Sequence, residues 1–351
     1  MQISGKVAER FKRSKMLKIG WLLRNRPFSR AVNLMKVRKD AVRQEPTPDF
    51  LPTFAHIEPT NRCNLKCETC ILGTDLAYVG YKMKDMTLEE FKTILDSMPS
   101  LMRIFIQGTG EPLLNKELFD MVEYASSRGV RCGTVTNGLI LGEQNCRKVL
   151  DSSLEVLEIS LNSPDAAVFA ATRSGARVEK VLANVERLVR MRAETKGSRL
   201  TLAFRAILMQ STKADATALI DTAVRLGVDK VCYQGCEDIV GTGVGHERIP
   251  KLEYEDRSAQ LIAYGRARGV IVEIESYGDG TGSCRAPWES TNVTVEGFVT
   301  PCCVVGTPTE GNFGNVFDAG FEAVWKNQSA TEFRENFRKA RPDACRGCSK
   351  Y

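Results

Sequence analysis

Residues 61–70 read NRCNLKCETC and set Cys63, Cys67 and Cys70 in a C-x3-C-x2-C spacing, directly after the apolar run FAHIEPT. A closed structural zinc site takes four ligands, so three thiolates leave its tetrahedron incomplete. Three is the number a cubane iron–sulfur cluster uses when one iron is kept free for another ligand. The loop is short enough for its sulfurs to converge on one face. A second set lies far down the chain: Cys284, Cys302, and the C-x2-C pair Cys345 and Cys348. Four thiolates suit tetrahedral zinc or one fully ligated cluster. Cys303 stands beside Cys302 as an alternative ligand or a free thiol. Cys132 and Cys146 read as core, while Cys232 and Cys236 fall near a strand end.

The elements that must hold these thiols are legible from residue 50 onward. TFAHIEPT, RIFIQGTG, RCGTVTNG, EVLEISLN, RLTLAFRAIL and DKVCYQG read as six strands. Five amphipathic stretches alternate with them, from TLEEFKTILDSM to TKADATALIDTAVRLG. Asp85 and Thr87 mark one helix start, and Gly129 and Gly227 two helix ends. Such alternation predicts an α/β fold, a partial (β/α)6 TIM-like barrel over residues 50–250, with chemistry at the carboxyl ends of its strands. The first cysteine cluster follows strand one, where that rule places a site. Residues 251–351 predict a small cysteine-rich α+β domain, with a hairpin in TNVTVEGFVTPCC turning at Gly297.

Residues 1–49 form a basic arm with 13 Lys or Arg against 4 Asp or Glu, within a chain of net charge +6. The arm predicts a solvated helical extension with Trp21, Leu22 and Leu23 packed on the body; without aromatic interleaving it does not read as a nucleic-acid surface. No apolar run approaches the ~18 residues of a membrane span, and the N-terminus shows no secretory h-region. A cytoplasmic address follows, and there twelve cysteines point to metal rather than disulfides.

Cys63, Cys67 and Cys70 match the C-x3-C-x2-C hallmark of the radical S-adenosylmethionine (SAM) enzymes, and from here the chain resembles that family. The resemblance implies that the three hold a [4Fe-4S] cluster whose free iron binds SAM, which on reduction yields a 5′-deoxyadenosyl radical. GTGEP resembles the family's Gly-Gly-Glu-type motif. It implies that Gly108 and Gly110 let backbone approach the cosubstrate and that Glu111 receives its amino group. ISLNS resembles the fourth-strand ribose contact, with Ser160 and Asn162 as its polar groups, and Arg173 resembles a family arginine near the cosubstrate.

The C-terminal cysteines, with CRAPW and GNV…VWKN, resemble the SPASM and twitch extensions, closest to the twitch type. That implies one auxiliary [4Fe-4S] cluster on Cys284, Cys302, Cys345 and Cys348. An auxiliary cluster near the substrate suits oxidation, so the leading expectation is dehydrogenation of a small-molecule substrate, a sugar or cyclitol alcohol, with flavodoxin or ferredoxin as electron donor. Cys236, Cys303 and Glu237 are the catalytic candidates at the barrel mouth, with His56, Glu58, Gln107 and Asp238 less specific. A radical epimerase using a cysteine thiol is one alternative. Another is a peptide maturase, which usually carries a recognition domain longer than this arm. A zinc-stabilised binding protein is the non-enzyme alternative.

Overall fold

Short β-branched strands and amphipathic helices cannot each bury both faces alone, and here they do so by alternating along the chain. The computed structural model describes residues 28–350 apart from 68–69, 74–81, 174–175, 238–242, 279–283, 306–310 and 346. Helix α1 (Phe28–Asp40) precedes β1 (Phe54–Ile57), α2 (Leu88–Asp96), β2 (Arg103–Ile106), α3 (Leu118–Ser127), β3 (Arg131–Thr136), α4 (Glu143–Asp151) and β4 (Val156–Ser160). There follow α5 (Ala166–Thr172), α6 (Val178–Glu194), β5 (Thr201–Leu208), α7 (Ala216–Leu226), β6 (Lys230–Gly235), α8 (Lys251–Arg268) and β7 (Ile271–Ile274). The C-terminal part adds α9 (Ala286–Glu289), β8 (Ser290–Val293), β9 (Phe298–Thr300), β10 (Gly314–Asn315), α10 (Val316–Ala319), α11 (Phe321–Trp325) and α12 (Gln328–Lys339).

Among the described residues the strands form one sheet in the order β10-β9-β8-β1-β2-β3-β4-β5-β6-β7. The six expected parallel strands run in sequence, and β7 continues them beyond residue 250. On the other side β8 pairs parallel with β1, so the C-terminal hairpin extends the same sheet. Gly297 makes its turn at φ 89°. The sheet ends at β7 and β10 without pairing them, an α/β arrangement in keeping with a partial barrel.

Register divides the strand residues between two faces. Ala55, Ile57, Ile104, Ile106, Leu157, Ile159, Leu202 and Phe204 are fully buried in the main core cluster. Each large side chain so buried contributes roughly 1.5–3 kcal/mol. The opposite face carries Phe54, His56, Phe105, Glu158, Ser160, Arg205, Cys232 and Gln234, a mixed and charged lining.

Helix ends follow local chemistry. Thr87 and Glu90 cap α2 reciprocally, the hydroxyl accepting from Glu90 N at 3.2 Å and the carboxylate from Thr87 N at 2.9 Å. Gly227 closes α7 in the left-handed region at φ 76°. Asp85, expected as part of the α2 start, instead anchors the loop after β1, accepting from Thr60 Oγ1 at 2.6 Å and pairing with Arg62. In the basic arm, α1 is docked by paired bonds between Asn33 and the Leu51 backbone at 2.8 and 3.0 Å. Trp21, Leu22 and Leu23 lie outside the described residues.

Candidate functional site

The segment after β1 is pinned before it reaches its first cysteine. Buried Asn115 donates to Pro59 O at 2.7 Å and to Met86 O at 2.8 Å. Asn61 bonds Lys82 O at 2.9 Å and accepts from Lys84 N at 2.7 Å. Cys70 N then donates to Cys67 O at 3.0 Å, a turn that brings the second and third thiols to one side. Cys63, Cys67 and Cys70 are all half-buried. Desolvation raises each thiol, and the three raise one another where they interact, so they lie within electrostatic reach as a group.

The GTGEP loop lies directly against this segment. Glu111 N donates to Arg62 O at 2.8 Å, and a Cβ on Gly110 would stand 2.4 Å from Thr60 O. A Cβ on Gly108 would meet Glu58 Cγ at 2.2 Å, so both glycines are required by close approach. Glu58 is buried and accepts from Thr109 N at 2.7 Å, Thr109 Oγ1 at 2.6 Å and Val295 N at 3.0 Å, a peg between β1, this loop and the hairpin. Glu111, also buried, accepts from Thr136 Oγ1 at 2.7 Å, Asn137 N at 2.7 Å and Leu113 N at 3.2 Å. Three of its roughly four acceptor positions are therefore filled. Asn137 reaches back to Asn64 Oδ1 at 2.8 Å and ties the end of β3 to the cysteine loop. Thr136 and Asn137 were not singled out from sequence; the TNG at the end of β3 was their only signal.

Arg173 ends α5 and faces the thiols. Its buried Nε has no hydrogen-bond partner, and Cys67, Glu111, Cys70 and Cys63 are the groups that favour its charge against desolvation. A guanidinium whose buried Nε has no partner, beside three thiols and a glycine-lined loop, is suited to receive an anion. The residues present fit an iron–sulfur cluster with a carboxylate-bearing ligand. Of the fourth-strand pair, Ser160 shares the lining face with Arg205, whereas buried Asn162 spends its carbonyl on Ile207 N at 3.0 Å.

The distant cysteines also gather. Cys284 raises the thiols of Cys345 and Cys348, pushed to about 11 and about 12 chiefly by burial, and Cys302 feels Cys348. Cys303 faces other neighbours: Lys350, Glu275 and Arg205. Its side chain is exposed. Among the described residues no three His, Cys, Asp or Glu side chains are gathered as ligands of a single metal ion. A cubane gives each thiolate its own iron and spreads the sulfurs wider than one ion does.

The remaining mouth residues divide. Cys236 is buried with Met209 and Val244, its thiol on Val244 O at 3.8 Å, in an apolar group apart from Cys303. Glu237 accepts from Ser349 N at 2.5 Å and Ser349 Oγ at 2.6 Å. Asp238 lies outside the described residues. A charged network unforeseen from sequence crosses the lining face: Arg205 pairs with Glu158 and reaches Gln234 at 2.8 Å and Glu275 at 3.0 Å, and Lys350 pairs with Glu275. Burial, with Lys350, Arg205 and Arg103 nearby, holds His56 neutral, its pKa lowered to about 3. Among the described residues no helix is long and apolar enough to cross a membrane.

Comparison with known proteins bears on both halves. The profile of the Radical SAM superfamily matches residues 57–203, and that of the SPASM iron-sulfur cluster-binding domain matches residues 284–349. A PqqA peptide cyclase of Rhizobium meliloti is 22% identical over 316 residues, covering 86% of this chain and 81% of that one. A tungsten-containing aldehyde ferredoxin oxidoreductase cofactor-modifying protein of Pyrococcus furiosus is 23% identical over 322 residues, covering 84% and 87%. The structure of Streptococcus suis SuiB bound to its precursor peptide SuiA superposes with a TM-score of 0.69 at 14% identity, covering 91% of this chain and 73% of that one. Matched in its β/α half and again at its cysteine-rich end, the chain belongs to the radical SAM superfamily, an enzyme with a SPASM iron–sulfur domain that uses SAM and [4Fe-4S] clusters.

Proposed function

We propose that this radical SAM enzyme modifies a peptide, forming a bond within it at the expense of two hydrogen atoms, one taken by the SAM-derived radical and the other leaving as a proton while its electron would pass to the auxiliary iron–sulfur cluster. The observation that carries the reading is the match to a peptide cyclase, which runs through both domains and covers 81% of that protein. The sugar or cyclitol alcohol expected from sequence draws no support from the relatives described above. The peptide-modifying alternative takes its place.

In this reading Cys63, Cys67 and Cys70 hold the cluster that binds SAM, and Cys284, Cys302, Cys345 and Cys348 hold the auxiliary one. Together the first cluster and SAM supply a carbon radical able to take a hydrogen atom from the substrate. The chain's own residues prepare that event. Arg173 offers its unpartnered Nε–H to a carboxylate, and the fourth acceptor position of Glu111 suits an ammonium. Gly108 and Gly110 keep backbone within reach of a ligand, and Ser160 offers a hydroxyl from the lining face. His56, neutral and with a buried unpartnered Nδ1, offers the substrate a hydrogen-bonding atom that carries no charge. Because Arg205 and Lys350 are matched by Glu158 and Glu275, the lining favours neutral peptide groups over free ions. A reduced flavodoxin or ferredoxin fits as electron donor.

Coexpression with each short peptide encoded beside the gene, followed by mass spectrometry, tests this. One peptide is expected to become lighter by two hydrogen atoms, with 5′-deoxyadenosine formed in step. Unmodified peptides, alongside turnover of a free cyclitol, contradict the reading.

A further inference from the structure

We infer that Glu237 is a positioning residue that clamps the Cys345–Lys350 turn to the end of β6 and thereby sets the sulfur environment of the auxiliary cluster. The inference rests on the proposed ligation by Cys348.

Glu237 sits two residues past Gly235, the last residue of β6, where barrel chemistry is expected. Both of its carboxylate oxygens accept from Ser349, Oε2 from Ser349 N at 2.5 Å and Oε1 from Ser349 Oγ at 2.6 Å, and the carboxylate also lies within hydrogen-bonding reach of the Cys348 thiol. Ser349 directly follows Cys348 and is buried. It packs on the strand end itself, since a Cβ on Gly235 would stand 3.1 Å from Ser349 Oγ. The clamp is shared: Gly278 N donates to Ser349 O at 2.6 Å, Arg248 donates to Gly347 O at 2.6 Å, and Lys350 pairs with Glu275. Arg341 holds the outer side, donating to Cys345 O at 2.8 Å and Cys348 O at 2.5 Å.

One bond shows why the clamp matters chemically. Lys350 N donates to Cys348 Sγ at 3.4 Å. A hydrogen bond to a ligating sulfur stabilises the electron-richer reduced cluster and raises its potential. That amide is aimed by the residue before it, and Ser349 is fixed by Glu237. The charge of Glu237 acts in the opposite sense, because an anion near the sulfurs lowers the potential. Charge and clamp are separable. Glu237→Gln removes the charge but keeps a carbonyl for Ser349 N and an amide for Ser349 Oγ; Glu237→Ala removes both.

The test compares these two variants, equal in charge, in the anaerobically reconstituted full chain. Redox titration followed by electron paramagnetic resonance is expected to place the auxiliary cluster of Glu237→Ala at a lower potential than that of Glu237→Gln, with an altered signal shape. Hydrogen exchange at the Ser349 amide is expected to be at least tenfold faster in Glu237→Ala than in Glu237→Gln. If Glu237→Ala loses the auxiliary irons while Glu237→Gln keeps them, the clamp is likewise supported. Identical potentials, signals and exchange in the two variants overturn the inference. Cys348→Ala provides the separate control: full iron retention there removes the ligand assignment, while the exchange contrast still decides the clamp.

Discussion

Cys302 and Cys303 are neighbours in sequence, and after burial Cys303 is the strongest influence on the Cys302 thiol; yet Cys302 also feels Cys348, whereas Cys303 feels Lys350, Glu275 and Arg205. Cys302→Ala is therefore expected to lower the iron content from about eight to about four per chain, while Cys303→Ala leaves it near eight; iron and sulfide analysis checks this. His56 gives a pH signature. Its native imidazole stays neutral down to about 3, whereas the unfolded chain takes up a proton near the ordinary value of 6.5. Between those limits the unfolded state binds more protons, so stability is present above about pH 6.5 and falls as pH drops toward 3, by a few kcal/mol at most. Urea unfolding of the metal-free chain at neutral pH and at about pH 4.5 is expected to show the loss, and His56→Gln to reduce it.

At the scale of elements, two loops at neighbouring strand ends support each other. The GTGEP loop presses on the cysteine loop so closely that a methyl at residue 110 would stand 2.4 Å from Thr60 O and 2.5 Å from Arg62 O. Gly110→Ala is expected to cost roughly 1–3 kcal/mol and to empty the first cluster before the second. Thermal unfolding with iron analysis on the same sample reads both. These strands and their helices were legible in the sequence because period-two and helical patterns are local. The Thr136 and Asn137 bonds to Glu111 were not, since they join residues 25 and 26 positions apart whose meeting depends on register. Helix α5 was missed for another reason: AAVFAAT is short, and its start rests on Asp165 accepting from Ala167 N and Val168 N.

Across the whole molecule, the C-terminal part is woven into the parallel sheet. β8 pairs with β1, Trp288 donates to Glu45 O at 2.7 Å, and Trp325 donates to Phe50 O at 3.1 Å. Arg334 is fully buried against Trp325, its ring-stacked guanidinium serving Pro287 O at 3.0 Å and Trp325 O at 3.0 Å. Non-local pairings of this kind carry no sequence period, so a hairpin was foreseen but not its place in the sheet. The three-thiol loop was legible as a candidate site because its C-x3-C-x2-C spacing is local to the sequence. That loop bears the central claim, and the electron paramagnetic resonance spectrum of the reduced, reconstituted enzyme with and without SAM tests it most directly. SAM is expected to change the signal in the parent and in Cys345→Ala, and to leave Cys67→Ala without a responsive signal. A spectrum indifferent to SAM in the parent, or equally responsive in all three proteins, contradicts the account.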